Sequence, residues 1–163
     1  MKLMAKTARE YLRYDKKTGK MYWRKTLHGK VMPGQEEGSL SHGYMQIKIF
    51  YRVYRIHRLA WLLVTGDWPK NQIDHKNRNR ADNCWTNLRE ATQNQNNSNC
   101  GKRSHNTSGF KGACWHERAG RWAAHITLRG KTKYLGLHDT PEQAHAAYVR
   151  AAIQYRGEFA RAA

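Results

Sequence analysis

The sequence predicts an α+β fold built from two modules. Aromatic and apolar residues alternate on both sides of Gly-containing turns in 11–25 and in 43–55, which predicts N-terminal β-hairpins. Residues 72–99 then have the pattern strand, loop, strand, helix. Residues 111–157 have three strand patterns followed by a capped helix, which predicts a three-stranded antiparallel sheet packed on one helix.

The composition indicates a polyanionic partner. The 163 residues include 30 Lys and Arg against 12 Asp and Glu, a formal net charge of +18, and the pI is about 10.2. Solubility alone does not need so large an excess. Aromatic residues make up 11% of the chain and are interleaved with the charges, so we expect folded basic surfaces in both modules rather than a disordered basic tail.

Other classes of protein are disfavoured by the same sequence. The longest apolar run, LAWLLV at 59–64, is too short to span a bilayer, and we expect no membrane partner. The first fifteen residues contain no apolar signal core. Cys84, Cys100 and Cys114 are odd in number and form no C-x-x-C pair, so we expect reduced thiols and a cytoplasmic protein.

The N-terminal elements can be assigned in order. The segment YLRYDKKTGKMYWRK predicts a hairpin around KTGK, where Gly19 can take a positive φ. In GYMQIKI, Tyr44, Gln46 and Lys48 alternate with apolar residues, which predicts a second hairpin. From about Tyr54 the apolar spacing becomes helical, and Gly66 stops the helix. This helix carries His57, for which a packed or surface histidine is the simplest interpretation.

The next segment has an unusual density of asparagine behind a single Asp-His pair. Residues 72–75 are short and extended, 76–86 are polar without a period, and 88–91 are extended again. Thr92 followed by Gln at position 95 has the form of a capping box and predicts that a helix starts at residue 93. A polar surface loop is the alternative interpretation of the asparagines.

The strand–loop–strand–helix pattern can bring Asp74, His75 and Asn96 to one place. Carboxylate and amide oxygens suit a hard cation such as Mg²⁺, which also keeps waters and uses substrate phosphate as a ligand. A histidine that is neutral near pH 7 can deprotonate a water for attack on a phosphodiester. Each asparagine also has a simpler interpretation: Asn87 as a residue that caps a turn, and Asn96 as a solvated helix residue.

Residues 100–108 are small, polar and basic and predict a linker. Strands are expected at 111–116, 121–128 and 131–137, joined by turns at ERAG and RG. In the central strand Trp122 and every second residue to Leu128 form an apolar face, while the alternate residues form a polar and basic face.

The C-terminal helix has a strong start signal. Thr140 is an N-cap candidate, Pro141 occupies the first helical position, and Gln143 completes a capping box. Gly157 ends the helix. The residues expected to form its core stripe are Ala144, Ala147, Tyr148, Ala151 and Tyr155.

The blocks IDHKN, TNLREAT and QNQNNSN resemble the HNH nucleases, and GYMQIKI and IHRLAW are similar to the elements before the motif in phage and intron-encoded members. The resemblance covers roughly residues 10–99 and implies a ββα-metal module. It makes Asp74 the metal-binding acid, His75 the general base, Asn87 the loop-pinning residue and Asn96 the last member of the metal site. Many members have His at that last place, which leaves the helix register open among the neighbouring asparagines.

Residues 109–159 resemble the APETALA2-type DNA-binding domain through GFKGACWHERAGRWAAHI and KYLGLHDTPEQAHAAY. Such domains lay a three-stranded sheet in the major groove of double-stranded DNA, so the resemblance implies DNA contacts from the polar face. The candidate contacts are Lys111, His116, Arg118, Arg121, His125, Thr127, Arg129 and Tyr134.

The sequence therefore predicts an HNH nuclease domain over 1–99, a linker over 100–108 and an APETALA2-type domain over 109–163. We expect a phage-type homing endonuclease that acts in the cytoplasm of a bacterial or phage-infected cell on double-stranded DNA. The expected cofactor is Mg²⁺, with Mn²⁺ as a substitute, and no obligate protein partner is evident. The competing hypothesis is a non-cleaving DNA-binding regulator with a decayed nuclease domain. An RNA-binding protein is less favoured, because the sheet lacks the aromatic positions on which single-stranded bases stack.

Overall fold

The structure is a computed structural model that describes residues 3–27, 31–99 and 106–160. The contacts within the chain divide it into two compact units, Met1–Thr92 and Gln93–Ala163. In the described part of the chain, no helix has the length and apolar character needed to cross a membrane.

The first unit contains two small antiparallel sheets, two helices and a two-stranded ribbon. Its elements are α1 (Ala5–Tyr11), β1 (Leu12–Tyr14), β2 (Met21–Trp23), β3 (Glu36–Glu37), β4 (Ser39–Ser41), β5 (Tyr44–Ile49), β6 (Arg52–Arg55), α2 (Ile56–Thr65), β7 (Gln72–His75) and β8 (Leu88–Ala91). The strand orders are β1-β2-β3, β4-β5-β6 and β7-β8. Both predicted hairpins are confirmed, and α2 ends at Gly66 in the left-handed conformation, as the sequence predicts.

Helix α2 lies between the main core and the ribbon. Leu59 on α2 packs with Trp23 and Ile47 in the main hydrophobic cluster. Ala60, the next residue, packs with Ile73 of β7 and Leu88 of β8 in a separate cluster. Because both strands are anchored by buried apolar residues, the polar residues at the end of β7 are held on a rigid support.

The second unit contains α3 (Gln93–Ser98), β9 (Ala113–His116), β10 (Arg121–Leu128), β11 (Lys131–His138) and α4 (Pro141–Arg156). Strand β10 is central in an antiparallel sheet of order β11-β10-β9, and α4 packs on one face of it, which confirms the predicted architecture. Helix α3 starts at the predicted residue. Its contacts group it with the second unit, whereas the domain division proposed from sequence assigns it to the first.

Local sequence explains how α4 is placed. The Thr140 side chain accepts a hydrogen bond from the backbone N–H of Gln143, so the predicted N-cap is confirmed. The helix lies close to the start of the sheet at Gly112, whose φ is +82°, and an added Cβ there would overlap the ring of Tyr148. Alanines at 144, 147, 151 and 152 are buried and let α4 approach the sheet.

Three expectations about this unit are wrong in detail. Tyr155 is 44% exposed instead of buried, because Ala152 takes the core position and the Tyr155 hydroxyl accepts a hydrogen bond from Lys133 at the surface. The first strand begins at Ala113 rather than at Lys111. Arg129 lies in the turn after β10 with φ +48°, outside the strand alternation.

Candidate functional site

The predicted Asp-His pair lies at the C-terminal end of β7 and is buried. Asp74 is 5% exposed and His75 is 4% exposed. The antiparallel register places Arg89 of β8 directly opposite Asp74. Both Nε and Nη2 of Arg89 donate to Oδ2 of Asp74, at 2.9 and 2.8 Å. A buried carboxylate needs such a partner, and this ion pair compensates part of the negative charge.

The imidazole of His75 is oriented by Asn83. Its Nε2 lies 3.4 Å from Oδ1 of Asn83, while Nδ2 of Asn83 donates to the carbonyl of Ala81 at 3.0 Å. The contact with Ala81 identifies the amide nitrogen, so an acceptor oxygen faces the ring. In neutral His75 the proton therefore sits on Nε2 and the lone pair is on Nδ1.

Burial keeps this histidine uncharged. Desolvation is the largest influence on the pKa of His75 and lowers it, opposed by the hydrogen bond to the Asn83 amide oxygen and by the charge of Asp74. The net shift is downward from 6.5, so His75 is neutral at pH 7. A neutral imidazole with its lone pair on a defined nitrogen can act as a general base.

Asn87 ties the polar loop to the ribbon by both its side chain and its backbone. Its Oδ1 accepts from the N–H of Asn77 at 2.9 Å, and its Nδ2 donates to Oδ1 of Asn77 at 3.0 Å and to the carbonyl of Asp82 at 2.8 Å. Its carbonyl accepts from the N–H of Lys76 at 2.9 Å. These bonds fix the loop that carries Asn83.

The first hairpin also supports this loop. The hydroxyl of Tyr14 donates to the carbonyl of Asn83 at 2.6 Å, and burial raises the pKa of that hydroxyl. Gly19, with φ +73°, passes so close to the backbone of Asn83 and Cys84 that an added Cβ would overlap it. Cys84 and Cys114 are free thiols, as expected, and Cys100 lies outside the described residues.

Two aromatic side chains of other elements pack around His75. His57 of α2 is 3% exposed and its ring meets that of His75 edge to face, with centroids 5.1 Å apart. Tyr44 of β5 lies 5.4 Å from the ring of His57 and 6.2 Å from that of His75. Burial lowers the pKa of His57 to about 3, helped by the positive charge that His75 gains when it is protonated in acid, so a second neutral imidazole lines the site at pH 7.

The structure thus brings together three of the four predicted residues, Asp74, His75 and Asn87, within one unit. Asn96 lies half-buried on α3, which belongs to the other unit, so its place in the site remains a proposal. The sequence analysis missed Arg89 and Asn83. Antiparallel pairing of residues 72–75 with residues 88–91 would have indicated Arg89, because this register places it opposite Asp74.

The donor set fits a hard cation that needs few protein ligands. Among the residues described, no three His, Cys, Asp or Glu side chains converge on one point. The described residues therefore do not form the kind of site in which several such ligands hold a soft or borderline metal. The carboxylate of Asp74 matches Mg²⁺, which keeps several waters and takes substrate phosphate as a further ligand. The bond from Arg89 means that a metal at Asp74 would share the carboxylate with a guanidinium.

In the second unit, the face of the sheet opposite α4 carries the predicted polar side chains. The register puts His116 beside Arg121, Tyr134 beside His125 and Thr132 beside Thr127 on this face. One extra residue in β11, between Tyr134 and Gly136, turns Leu135 toward the core and keeps Tyr134 outward. Ala123 is buried on the polar face, because its methyl group is flanked by Cys114 and Leu137 on the adjacent strands.

Several of the predicted DNA-contacting residues already have partners or lie outside the strands. Arg121 forms an ion pair with Asp139, with Nη2 2.8 Å from Oδ1. His116 accepts from the N–H of Ala119 through Nδ1, so its Nε2 carries the proton in the neutral ring. Lys111 donates to the carbonyl of Ser98, and it lies in the turn before β9. Arg118 and Arg129 lie in the turns that connect the strands.

These two arrangements are a buried Asp-His pair at the end of a two-stranded ribbon and a three-stranded sheet packed on one helix. Residues 54–98 match the family model described as HNH endonuclease, and residues 108–158 match the model described as AP2 domain. Both resemblances indicated by the sequence are therefore confirmed. Together they support a DNA-binding nuclease.

The curated relatives match the second unit. APETALA2-like protein 2 of Oryza sativa subsp. indica is 47% identical over 51 residues, which is 31% of this chain and 12% of the relative. The AP2-like ethylene-responsive transcription factor TOE2 of Arabidopsis thaliana is 45% identical over 51 residues, 31% of this chain and 10% of the relative. The ethylene-responsive transcription factor WRI1 of Arabidopsis thaliana is 45% identical over 56 residues, 33% of this chain and 13% of the relative. The matched segment thus spans about an eighth or less of these relatives.

Proposed function

We propose that the protein is a metal-dependent endonuclease of the phage-type homing kind that hydrolyses phosphodiester bonds in double-stranded DNA. The observation that carries the proposal is the buried, neutral His75 beside Asp74, with its ring oriented by Asn83. A buried neutral imidazole adjoining a carboxylate is the arrangement that general-base hydrolysis needs. The match of residues 54–98 to HNH endonucleases supports the same reaction.

In the proposed reaction, Nδ1 of His75 accepts a proton from a water that attacks the phosphorus atom, and the bond from phosphorus to the leaving sugar oxygen breaks. Asp74 would hold the divalent cation, which is Mg²⁺ with Mn²⁺ as a substitute, and Asn96 is kept as the second ligand only on the resemblance of its position to the HNH motif. A bound cation stabilises the negative charge that develops on the phosphate and on the leaving oxygen. Asn87 keeps the loop in position, so that Asn83 holds the His75 ring in the base-competent tautomer.

The second unit is proposed to choose the DNA site. Its polar sheet face carries His116, Arg121, His125, Thr127 and Tyr134, and Lys111, Arg118 and Arg129 lie at the ends of the strands. The major groove admits a two-stranded β-ribbon, and Arg can address guanine there with two hydrogen bonds. The match to AP2 domains supports this docking mode.

A supercoiled-plasmid assay tests the proposed function. The protein is incubated with plasmid in EDTA, in Mg²⁺ and in Mn²⁺, and the nicked and linear forms are quantified. We expect cleavage only with the divalent cations. Binding to DNA without cleavage in any of the three conditions would instead support the non-cleaving regulator.

A further inference from the structure

Two arginines of different elements converge on one tyrosine in the first unit. The guanidinium carbon of Arg55, at the end of β6, lies 4.2 Å from the centre of the Tyr44 ring. That of Arg80, from the loop after β7, lies 5.0 Å from the same centre. The side chain of Arg80 also passes Gly43, where an added Cβ would stand 3.9 Å from its Cδ. The Tyr44 ring thus attracts two guanidinium groups and holds them near each other in spite of their like charges.

Neither guanidinium has an acidic partner in the described part of the chain. Both arginines are exposed, and neither guanidinium forms a hydrogen bond or an ion pair with the residues described. The carboxylates of the neighbouring segment are engaged elsewhere. Asp74 pairs with Arg89, and Asp82 accepts bonds from the Asn77 amide and from the backbone of Cys84. The donor groups of both arginines are therefore available to an anion.

The same tyrosine borders the candidate catalytic histidine. The ring centre of Tyr44 lies 6.2 Å from that of His75, and 5.4 Å from that of His57. An anion held by the guanidiniums on Tyr44 is consequently held next to His75. Guanidinium groups bind phosphate oxygens in a planar, two-pronged fashion, and an aromatic ring beneath them fixes their orientation.

We propose that Arg55 and Arg80, held on Tyr44, form a phosphate-binding site that seats the DNA backbone beside His75. The proposal rests on the proposed nuclease function and adds to it the residues that place the phosphodiester at the base. The ligand is a phosphate of double-stranded DNA. The two arginines reach it from β6 and from the loop after β7, so the site is complete within the first unit.

Single substitutions in the full-length protein test the site. Arg55→Gln and Arg80→Gln remove the charge but keep a side chain of similar length. Arg13→Gln is the matched control, because Arg13 is exposed and also lies on a tyrosine, with its guanidinium carbon 4.3 Å from the centre of the Tyr22 ring. Two quantities are measured for each variant: the salt dependence of DNA affinity in EDTA, and the single-turnover cleavage rate at saturating DNA with Mg²⁺.

We expect Arg55→Gln and Arg80→Gln each to reduce the slope of log affinity against log salt by about 0.9, the value for one lost phosphate contact. We expect the cleavage rate at saturating DNA to fall by about 10²-fold in Arg80→Gln, and Arg80→Lys to recover only part of it. Arg13→Gln should retain the wild-type rate at saturation.

The two readouts separate this site from the nuclease function. If the wild type cleaves but both arginine variants keep its slope and its rate, the phosphate site is refuted and the nuclease stands. If no form of the protein cleaves DNA, but the salt dependence of affinity is still weaker in Arg55→Gln and Arg80→Gln than in the wild type, the nuclease function is refuted and the phosphate site stands. Equal losses in Arg13→Gln and in the two variants would also refute the site, because general charge would then explain the binding.

Discussion

The amide oxygen of Asn83 faces Nε2 of His75 at 3.4 Å, and the carbonyl of Ala81 holds the amide in that orientation. This contact favours the tautomer of neutral His75 that carries the proton on Nε2, in which Nδ1 is the basic nitrogen. It also links the candidate base to the first hairpin, since the carbonyl of Asn83 is held by the hydroxyl of Tyr14.

Replacement of Asn83 by Leu should slow cleavage, because the ring of His75 loses the acceptor that selects its tautomer. We expect a loss of about tenfold in the single-turnover rate, a fraction of the 10²- to 10⁴-fold that a general base supplies. Asn71→Ala is the matched control, because Asn71 is exposed and bonds to Arg58 and Glu90 through its backbone carbonyl and N–H rather than through its side chain. A wild-type rate in Asn83→Leu would mean that other contacts orient His75.

Replacement of Arg89 by Met should destabilise the metal-free protein by about 3–5 kcal/mol, because it removes the guanidinium that compensates the buried carboxylate of Asp74. If Asp74 binds the cation, Mg²⁺ should restore part of that stability in the variant and add less to the wild type. Chemical denaturation in EDTA and in Mg²⁺ measures both effects. An unchanged response to Mg²⁺ in the variant would argue against a cation at Asp74.

Acid should destabilise the first unit through His57. Its pKa is lowered from 6.5 to about 3 in the folded protein, so the unfolded chain takes up the proton first as the pH falls. The contribution of neutral His57 to stability is thus complete above pH 6.5 and is lost as the pH falls toward 3, by up to about 1.4 kcal/mol per pH unit.

The variant His57→Phe keeps an aromatic ring but cannot be protonated. Its free energy of unfolding, measured between pH 7 and pH 5, should fall less steeply than that of the wild type. The lowered pKa of His75 leaves a residual slope of the same sign. Parallel pH profiles for the two proteins would show that His57 does not carry the acid sensitivity.

In the second unit, Arg121 should contribute to the recognition of specific DNA, whereas Lys133 should not. Lys133 lies on the face toward α4 and binds the hydroxyl of Tyr155, so Lys133→Ala should change affinity little. Arg121→Ala should weaken the preferred site by about 1–3 kcal/mol and random DNA by much less. The preferred site is first obtained by selection from random duplexes, and affinities are then compared on both DNAs.

The ion pair of Arg121 with Asp139 is exposed and should not hinder this contact. Its side chains are 45% and 73% exposed, and such pairs contribute little. Asp139→Asn should therefore tighten DNA binding by about two- to fivefold, because it removes a negative charge near the phosphates. Weaker binding in Asp139→Asn would indicate that the pair orients Arg121 instead of restraining it.

Elements with strong local signals were predictable from the sequence. The strands β7 and β8 and the start of α3 were correctly bounded by polarity changes and a capping pattern, and α4 by Thr140 and Pro141. Such signals act between residues a few positions apart, so a single sequence displays them.

Contacts between distant segments were not predictable. Tyr44 and His57 reach His75 only after β5, α2 and β7 have packed, and no periodic pattern encodes that meeting. Tyr155 fits the helical stripe but is exposed, because the strand residue that it contacts is Lys133 rather than an apolar residue. Periodicity identifies a face of a helix but does not specify what covers each position on it.

The central claim, that His75 is the base of a DNA-cleaving site, is tested most directly by His75→Ala in the full-length protein. Plasmid cleavage with Mg²⁺ and the affinity for uncleaved DNA in EDTA are measured on the same preparation. Because a general base acts only in the chemical step, we predict that cleavage falls by at least about 10²-fold while affinity stays near the wild-type value. Cleavage at the wild-type rate, or an equal loss of affinity and cleavage, would contradict the account.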